Sequence, residues 1–264
     1  MVKDRGGIMT NEQIFAIAMR QSAIDSGCAA EDFACTEHKV VPSASHAQAR
    51  KYLEQPFLCD FTSYGSNVVA SASEELMPVA RAYLLKVSAA HCFDASNLHI
   101  LSEMLRPMGM TVGVMSEYFL PDLNVLRPLP CDLELRVLKQ EEFSALYLPQ
   151  WGNALCEKRR QLDVLAVGAF DQGAPVGLAG CSADCEDMWQ IGIDVLPAYR
   201  RRGIASALTS RLAWETLQRG KVPFYCAAWC NLASVRNAIR SGFRPAWVQL
   251  TVRPAEEVIQ SKII

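Results

Sequence analysis

The sequence predicts an α/β fold with a mixed sheet in its second half, preceded by a smaller α+β domain. Three observations support this fold class. Strand and helix patterns alternate over residues 131–264. An arginine-rich loop joins a strand to a helix near residue 200. Between the halves, Pro121, Pro128 and Pro130 interrupt regular structure. We therefore expect an N-terminal domain over residues 1–125 and a second domain over residues 131–264.

The composition fits a globular protein and excludes several classes of partner. Half of the 264 residues are hydrophobic and a fifth are charged, so a packed core is expected. The formal net charge of −2 gives no sign of nucleic-acid binding. No apolar run suffices to cross a bilayer, and no signal peptide follows the charged N-terminus. We expect a cytoplasmic protein that binds neither nucleic acid nor membrane, with Met9 as a candidate natural start after an eight-residue extension.

Ten cysteines are scattered along the chain, which is atypical of a disulfide scaffold, and we expect reduced thiols. The pairs Cys181/Cys185 and Cys226/Cys230 have three residues between their members, whereas zinc sites more often have two. All four histidines precede residue 100. We therefore expect no metal.

The first half shows helix and strand patterns but no chemical motif. A helix is predicted over residues 11–27, with Thr10 or Asn11 as its cap and Gly27 as its stop. Two strands are expected around the turn at residues 64–67. The remaining predictions are a helix from Ser71 or Ser73 to residue 86 with Glu74 and Glu75 in its first turn, a helix over 94–108 and a strand over 111–119.

The second half has a regular rhythm of strands followed by strand–helix units. Turn residues at 171–175 and 183–187 separate its central strands. The predicted strands are 133–138, 162–170, 176–181, 189–195, 224–228 and 243–252, and the predicted helices are 140–147, 204–218 and 232–240.

The loop over residues 195–205 has the composition of an anion-binding turn. A β-branched strand ends near Pro197, three arginines follow at 200–202, and Gly203 precedes the helix. Unpaired amides at a helix N-terminus favour an anion, and arginine offers forked donors to phosphate. The loop lacks the Walker and dinucleotide fingerprints. It predicts a pyrophosphate cradle, with a solvated basic turn as the alternative.

The charge around this loop is strongly asymmetric. Between Met188 and Leu250 the chain has nine basic and two acidic side chains, a local balance of +7, whereas the remainder carries −9. This distribution suits a polyanionic cofactor.

These motifs resemble the GNAT superfamily of N-acetyltransferases. The family signature Gln/Arg-x-x-Gly-x-Gly/Ala reads Arg200-x-x-Gly203-x-Ala205 here, after Val195-Leu196-Pro197. A second match begins at Asn231 and Ser234 and ends at Gly242-Phe243. The resemblance covers roughly residues 132–252 and leaves the N-terminal half unrecognised.

The resemblance implies acetyl-CoA as cosubstrate and a set of cofactor-binding residues. Backbone amides of the loop would hold the pyrophosphate, the splayed strand end would pair with pantetheine, and Asn231 would bond its arm. For Ser234, helix capping is the alternative. The implied set is Ile193, Val195, Arg200, Arg201, Arg202, Gly203, Ile204, Ala205, Asn231, Ser234 and Asn237.

The resemblance leaves the proton-transfer groups open. The family's usual carboxylate position holds Gln190, which is no base, so Asp194, Glu186 and Asp187 join Gln190 as catalytic candidates, each with an ordinary turn or strand-edge charge as its alternative role. The family's usual tyrosine position holds Ala238, and Tyr225 or Tyr199 would have to substitute. A covalent route through Cys226 or Cys230 lacks a histidine to activate the thiol.

The leading hypothesis is an acyltransferase that moves an acetyl group directly to a primary amine of a small molecule. Two alternatives remain: a protein or peptide N-acetyltransferase, and a non-catalytic acyl-CoA-binding regulatory module. The N-terminal domain would complete the acceptor pocket or form a homodimer.

Overall fold

The computed structural model describes residues 9–261, so the expected eight-residue extension lies outside the described part. Within this range the chain forms six α-helices and ten β-strands. The helices are α1 (Asn11–Ser26), α2 (Met77–Leu84), α3 (Ala95–Leu105), α4 (Ile204–Leu217), α5 (Leu232–Arg240) and α6 (Ala255–Ser261). The strands are β1 (Lys39–Pro42), β2 (Cys59–Ser63), β3 (Val69–Ala72), β4 (Met110–Pro121), β5 (Glu134–Lys139), β6 (Asp163–Asp171), β7 (Ala174–Ser182), β8 (Met188–Val195), β9 (Val222–Ala228) and β10 (Phe243–Pro254).

The described chain divides into two compact units that are each discontinuous in sequence. One, called here the loop unit, contains residues 9–17 and 119–245; the other, the N-terminal unit, contains residues 18–118 and 246–261. The boundaries fall within α1, β4 and β10. The predicted roles of an N-terminal domain in acceptor binding or dimerisation remain predictions.

In the loop unit, five strands follow the order β9-β8-β7-β6-β5. Neighbours are antiparallel except β8 and β9, which run parallel. The β6–β7 hairpin turns at Gln172 and Gly173, both with positive φ. Helix α4 packs on one sheet face through buried Ile204, Leu208 and Leu212, and this apolar layer is the larger of two core clusters described in the unit. The mixed sheet confirms the predicted fold class.

In the N-terminal unit, the strand order is β1-β3-β2-β10-β4. Strands β2 and β3 are the two strands predicted around the turn at residues 64–67, and they pair antiparallel. Buried Phe61 and Leu250 belong to a core that includes side chains of α2 and α3. Strand β1, which pairs in parallel with β3, was not predicted.

A buried ion pair lies in this N-terminal unit. The Arg50 guanidinium donates to Asp25, and both side chains are 2% exposed. The Arg50 amide also donates to Asp25 Oδ1 at 2.9 Å. Three rings surround the guanidinium, with centroids 5.4 Å away for Tyr118 and Trp247 and 5.7 Å away for Tyr52. Breaking such a pair is costly because it leaves a buried charge uncompensated.

Helices α1, α3, α4 and α5 agree with the predictions, and Thr10 Oγ1 accepts from the Gln13 amide before α1. Two predictions were wrong. Helix α2 begins at Met77, since Ser71 belongs to β3 and the Ser73 carbonyl accepts from Leu76 and Met77 in a preceding turn. The segment 140–147 forms two short 3-10 turns.

No disulfide is present within residues 9–261. Over the same residues, no helix has the length and apolar character that a bilayer span requires.

One carboxyl group in the N-terminal unit is buried among neutral hydrogen-bond donors. Asp60 Oδ2 accepts from Thr251 Oγ1 at 2.8 Å and from Gln249 Nε2 at 3.2 Å, and Oδ1 accepts from Thr62 at 3.3 Å. Burial raises the pKa of Asp60 to about 6, although these hydrogen bonds oppose the rise. The carboxylate therefore favours unfolding when it is charged.

We expect Asp60→Asn to change how stability depends on pH. The folded-state pKa lies above the unfolded value of about 3.9, so the wild type loses stability as pH rises from about 4 through 6. The free energy of unfolding of the variant, taken relative to that of the wild type, should rise by about 1 kcal/mol between pH 5 and pH 7. Urea denaturation at both pH values measures this. Glu74→Gln, at an exposed turn of the same unit, is the control. If the difference in unfolding free energy between Asp60→Asn and wild type were the same at pH 5 and pH 7, the prediction would be wrong.

Candidate functional site

The parallel pairing of β8 and β9 ends before the strands do. Their register runs from Met188↔Val222 to Ile191↔Tyr225, although both strands continue. Residues 192–195 of β8 remain paired with β7 on the other side. We call the opening between residues 192–195 and 226–228 the wedge. Because backbone groups require partners, the β9-facing edge of β8 at the wedge is suited to bind an extended ligand.

A cavity of about 400 Å³, called here the strand cavity, opens at the wedge. It lies on the sheet face away from α4. It is lined by Gly152, Asn153, Ala154, Cys156, Arg159, Asp163, Gly180, Ser182, Gln190, Ile191, Gly192, Ile193, Tyr225, Cys226, Ala227, Ala228, Asn231 and Ser234.

Polar side chains cross the floor of the strand cavity in one row. Asp163 of β6 pairs with Ser182 of β7, and Ser182 pairs with Gln190 of β8. Residues in register across antiparallel strands share one face of the sheet. Gln190 Nε2 then donates to Cys226 Sγ on β9 at 3.0 Å. The floor thus has hydrogen-bonding groups from β6 to β9.

A segment over residues 152–159, called here the roof, covers this floor. Asp194 Oδ2 accepts from the Asn153 amide at 2.8 Å and the Ala154 amide at 2.9 Å, and Oδ1 accepts from Asn153 Nδ2 at 2.7 Å. The predicted base Asp194 therefore anchors the roof, and it is not among the residues that line the cavity. Its role as a base remains untested.

Two glycines permit the roof to approach the sheet. A Cβ on Gly192 would lie 1.7 Å from the Asn153 carbonyl oxygen, and one on Gly180 would lie 2.0 Å from that of Ala154. Both contacts are with backbone, which cannot rotate away as a flexible side chain does. Gly180 and Gly192 are thus needed for close backbone approach.

The other predicted acid–base residues occupy different places. Gln190 lies on the cavity floor, whereas Glu186 and Asp187 are exposed in the turn between β7 and β8 and do not line the cavity. The structure brings Asp163 into the cavity, a carboxylate that the sequence analysis missed. The signal was a charged residue inside the otherwise apolar run 162–170.

Asp163 is 1% exposed and held by two donors. Its Oδ2 accepts from the Cys156 amide at 2.8 Å and the Tyr147 hydroxyl at 3.1 Å. Burial raises the pKa of Asp163 above its ordinary value, and these hydrogen bonds oppose the rise. A carboxylate with a raised pKa is better matched to proton transfer near neutral pH.

The loop before α4 forms a second cavity of about 370 Å³, called here the loop cavity. Gly203 has φ +79° and Arg201 has φ +64°, and no side chain caps the N-terminus of α4. The first amides of a helix have no acceptor within it, so they are available to an anion. The lining is Val195, Tyr199, Arg200, Arg201, Gly203, Ile204, Ala205, Ser206, Ala233, Arg236, Asn237 and Arg240.

The arginines of the loop differ in position. Arg200 and Arg201 line the loop cavity, and Arg200 Nε donates to the Val195 carbonyl at 3.0 Å. The Arg202 guanidinium lies 5.3 Å from the Tyr199 ring centroid and does not line the cavity. Arg236 and Arg240 of α5 line it instead, which the sequence analysis missed. Their spacing of four on a predicted helix was the available signal.

Helix α5 connects the two cavities. Asn231 is its N-cap and accepts from the Ser234 amide at 3.2 Å, so Asn231 rather than Ser234 caps this helix. Asn237 Nδ2 donates to Thr209 Oγ1 at 3.0 Å, and its Oδ1 accepts from Ser206 Oγ at 3.0 Å. These bonds hold α5 against α4.

Tyr225 lies at the wedge beside α5. It is 3% exposed, and Ala238, also buried, belongs to the same apolar cluster. Burial raises the pKa of the Tyr225 phenol, while hydrogen bonds with Ser234 and Asn237 oppose the rise. Tyr199 lies elsewhere, and its hydroxyl donates to Asp171 Oδ2 at 2.8 Å.

Comparisons with known proteins give one family match. Residues 133–243 match the model of the "Acetyltransferase (GNAT) family". No curated protein matches the chain.

Solved structures give distant likenesses. A GCN5-related N-acetyltransferase-like protein from Streptococcus suis is 20% identical, with TM-score 0.44, over 60% of this chain and 69% of that one. A GNAT-family acetyltransferase from Colwellia psychrerythraea is 18% identical, with TM-score 0.41, over 54% and 57%. A protein from Novosphingobium aromaticivorans, described as a GNAT-family acetyltransferase, is 18% identical, with TM-score 0.42, over 55% and 66%. The chain thus spans less than two thirds of the length of the last two proteins. Because all three TM-scores are below 0.5, these likenesses add nothing to the family match.

We expect Gly192→Ala to displace the roof, because its new methyl group would overlap the Asn153 carbonyl. Overpacking of this kind costs about 1–3 kcal/mol. Trypsin should cleave faster after Lys158, Arg159 and Arg160, at the C-terminal end of the roof. The control is Gly152→Ala, whose Cβ would meet only the Pro149 carbonyl oxygen, at 3.4 Å. Equal cleavage rates in both variants and wild type would show that the close approach does not hold the roof.

Proposed function

We propose that residues 133–243, an acetyltransferase domain of the GNAT family, transfer an acetyl group from acetyl-CoA to a primary amine of a small molecule. The observation that carries this proposal is the wedge, which lies between a cationic loop cavity and a polar strand cavity. A cofactor with a diphosphate at one end and a thioester at the other fits this arrangement.

The loop cavity fits the diphosphate of coenzyme A. Gly203 has a positive φ, and no atom beyond the adjacent residues lies within 4 Å of the point where a Cβ would stand, which leaves space beside the helix amides. We propose that the amides of Gly203, Ile204 and Ala205 hold the diphosphate. The side chains that would assist are Arg200, Arg201, Arg236 and Arg240, while Arg202 would remain on Tyr199.

The wedge fits the pantetheine arm and the reacting thioester. When bound, acetyl-CoA supplies an acetyl group activated as a thioester. The β8 edge from Ile193 to Val195 would hydrogen bond the arm and place a backbone N–H where negative charge develops on the carbonyl oxygen. Ser234 lines the same opening from α5, and Asn231 lies at its mouth.

The strand cavity is suited to the acceptor. The amine nitrogen forms a bond to the acetyl carbon as the carbon–sulfur bond breaks, and the proton that this nitrogen loses on becoming an amide passes to the departing thiolate. Holding both reactants together supplies much of the acceleration. The amine must first lose a proton, and Asp163 is the one carboxylate that lines the cavity among the described residues. We propose that Asp163 receives it through water along Ser182 and Gln190.

The roof over the floor of the strand cavity favours a small acceptor over a protein. The roof, anchored by Asp194, covers the cavity floor, whereas a peptide would require an open groove. Release of free thiol that depends on an added amine would distinguish this proposal from a non-catalytic acyl-CoA-binding module.

We expect Gly203→Val to weaken coenzyme A binding by at least about 10-fold. A β-branched residue at φ +79° is strained, and a changed loop would misdirect the helix amides. Isothermal titration calorimetry with coenzyme A measures this. Gly173→Val is the matched control, because Gly173 has φ +84° and an equally open surround in a hairpin turn away from the loop. Unchanged affinity in Gly203→Val would refute the cradle.

We expect Asp163→Asn to reduce kcat by about 10-fold or more and to remove the acidic limb of its pH profile. Asp163 accepts a proton only when ionised, so wild-type activity should fall as pH drops through a pKa that burial has raised. Initial rates of thiol release from pH 5 to 9 measure the profile. The control Asp187→Asn should retain the acidic limb of the profile. If Asp163→Asn also retained this limb, Asp163 would not be the proton acceptor.

A further inference from the structure

Charged side chains lie at one end of the strand cavity only. Of the residues that line it, Arg159 and Asp163 are charged, and the Arg159 charge acts on the Asp163 carboxyl group. The wedge end is lined by uncharged groups such as Gln190 and Ser234. Two strand spacings separate Asp163 from Gln190, which places the Asp163 backbone about 10 Å from the floor beside the wedge.

The two charged side chains differ in how accessible they are to a ligand. Asp163 is 1% exposed, and its Oδ2 is already occupied by the Cys156 amide and the Tyr147 hydroxyl. The Arg159 side chain is 26% exposed. The accessible charge at the far end of the cavity is therefore positive.

Arg159 is held in place by a second carboxylate beneath it. Its Nη1 donates to Asp184 Oδ1, and the Asp184 side chain is 0% exposed. Guanidinium has five N–H donors in a planar fork, so a bond to Asp184 leaves others for a ligand. A fixed guanidinium that faces a cavity is suited to bind a carboxylate with paired hydrogen bonds.

We infer that the acceptor is an amino carboxylic acid, whose carboxylate is bound by Arg159 while its amine reaches the wedge several atoms away. This inference rests on the proposed function and narrows its substrate class. A polyamine fits poorly because its second cation would face Arg159 at the same end. Asp184 is a positioning residue, since it acts through the arginine.

Three probes of equal chain length test the inference directly: 6-aminohexanoate, 6-aminohexanamide and 1,6-diaminohexane. They share a reactive primary amine and differ at the far end, which is anionic, neutral or cationic. With acetyl-CoA and the full chain, we expect kcat/KM for the acid to exceed that for the amide by about 10-fold, the effect of one charged hydrogen-bonding contact. The diamine should be the poorest of the three.

Arg159→Gln should raise KM for 6-aminohexanoate by about 10-fold or more and change KM for the amide by less than about 3-fold. Asp184→Asn should shift KM in the same direction by a smaller factor, with kcat retained. The matched control is Arg160→Gln. Arg160 is exposed, pairs with Glu157 and lies over the Tyr147 ring, and it does not line the cavity.

Other outcomes would overturn the inference. A wild-type preference for the amide or the diamine would do so, as would an equal loss for all three probes in Arg159→Gln, which would indicate a structural role. Acetylation of other amines but of none of these three would also refute it. The proposed function fails separately if coenzyme A binds but no amine of any class stimulates thiol release.

Discussion

The early end of the β8–β9 pairing is the constraint on which the candidate site depends. Four residue pairs hold the strands together, and beyond Ile191 and Tyr225 this pairing ends, while β8 stays paired with β7. A fully paired sheet would have no room for a ligand at this level. The separation opens the strand cavity at one side, and β8 continues into the loop that begins α4. One interruption of a ladder thus gives both cavities a common edge.

The sequence predicted the elements whose signals are local. Helices α4 and α5 were located closely because a glycine and an asparagine mark their first residues and apolar periodicity marks their lengths. The prediction that the loop binds an anion rests on residue types alone, and it stays a prediction. Segment 140–147 was misread because a short amphipathic run satisfies both an α-helix and two 3-10 turns.

The remainder of the site depends on contacts between distant parts of the chain. Asp194 interacts with Asn153, 41 positions away, and Arg159 with Asp184, 25 positions away. No local pattern distinguishes such a carboxylate from a base or a surface charge. The same limit applies to Gly180 and Gly192, whose need for a bare Cα arises from a carbonyl of the roof. Asp163, Asp184 and Asp194 each bind a residue of the roof, so these three carboxylates hold the roof in place in addition to any chemistry they perform.

The aromatic enclosure of Arg50 has a spectroscopic consequence. Trp247 stacks on Tyr118 at 4.5 Å and on Tyr64 at 5.4 Å, while the other tryptophans, Trp151, Trp189, Trp214 and Trp229, all belong to the loop unit. Trp247 is therefore a native fluorophore for the N-terminal unit, 3% exposed and next to a guanidinium. With the other four indoles replaced by phenylalanine, its emission would report the opening of that unit by itself, without an attached dye.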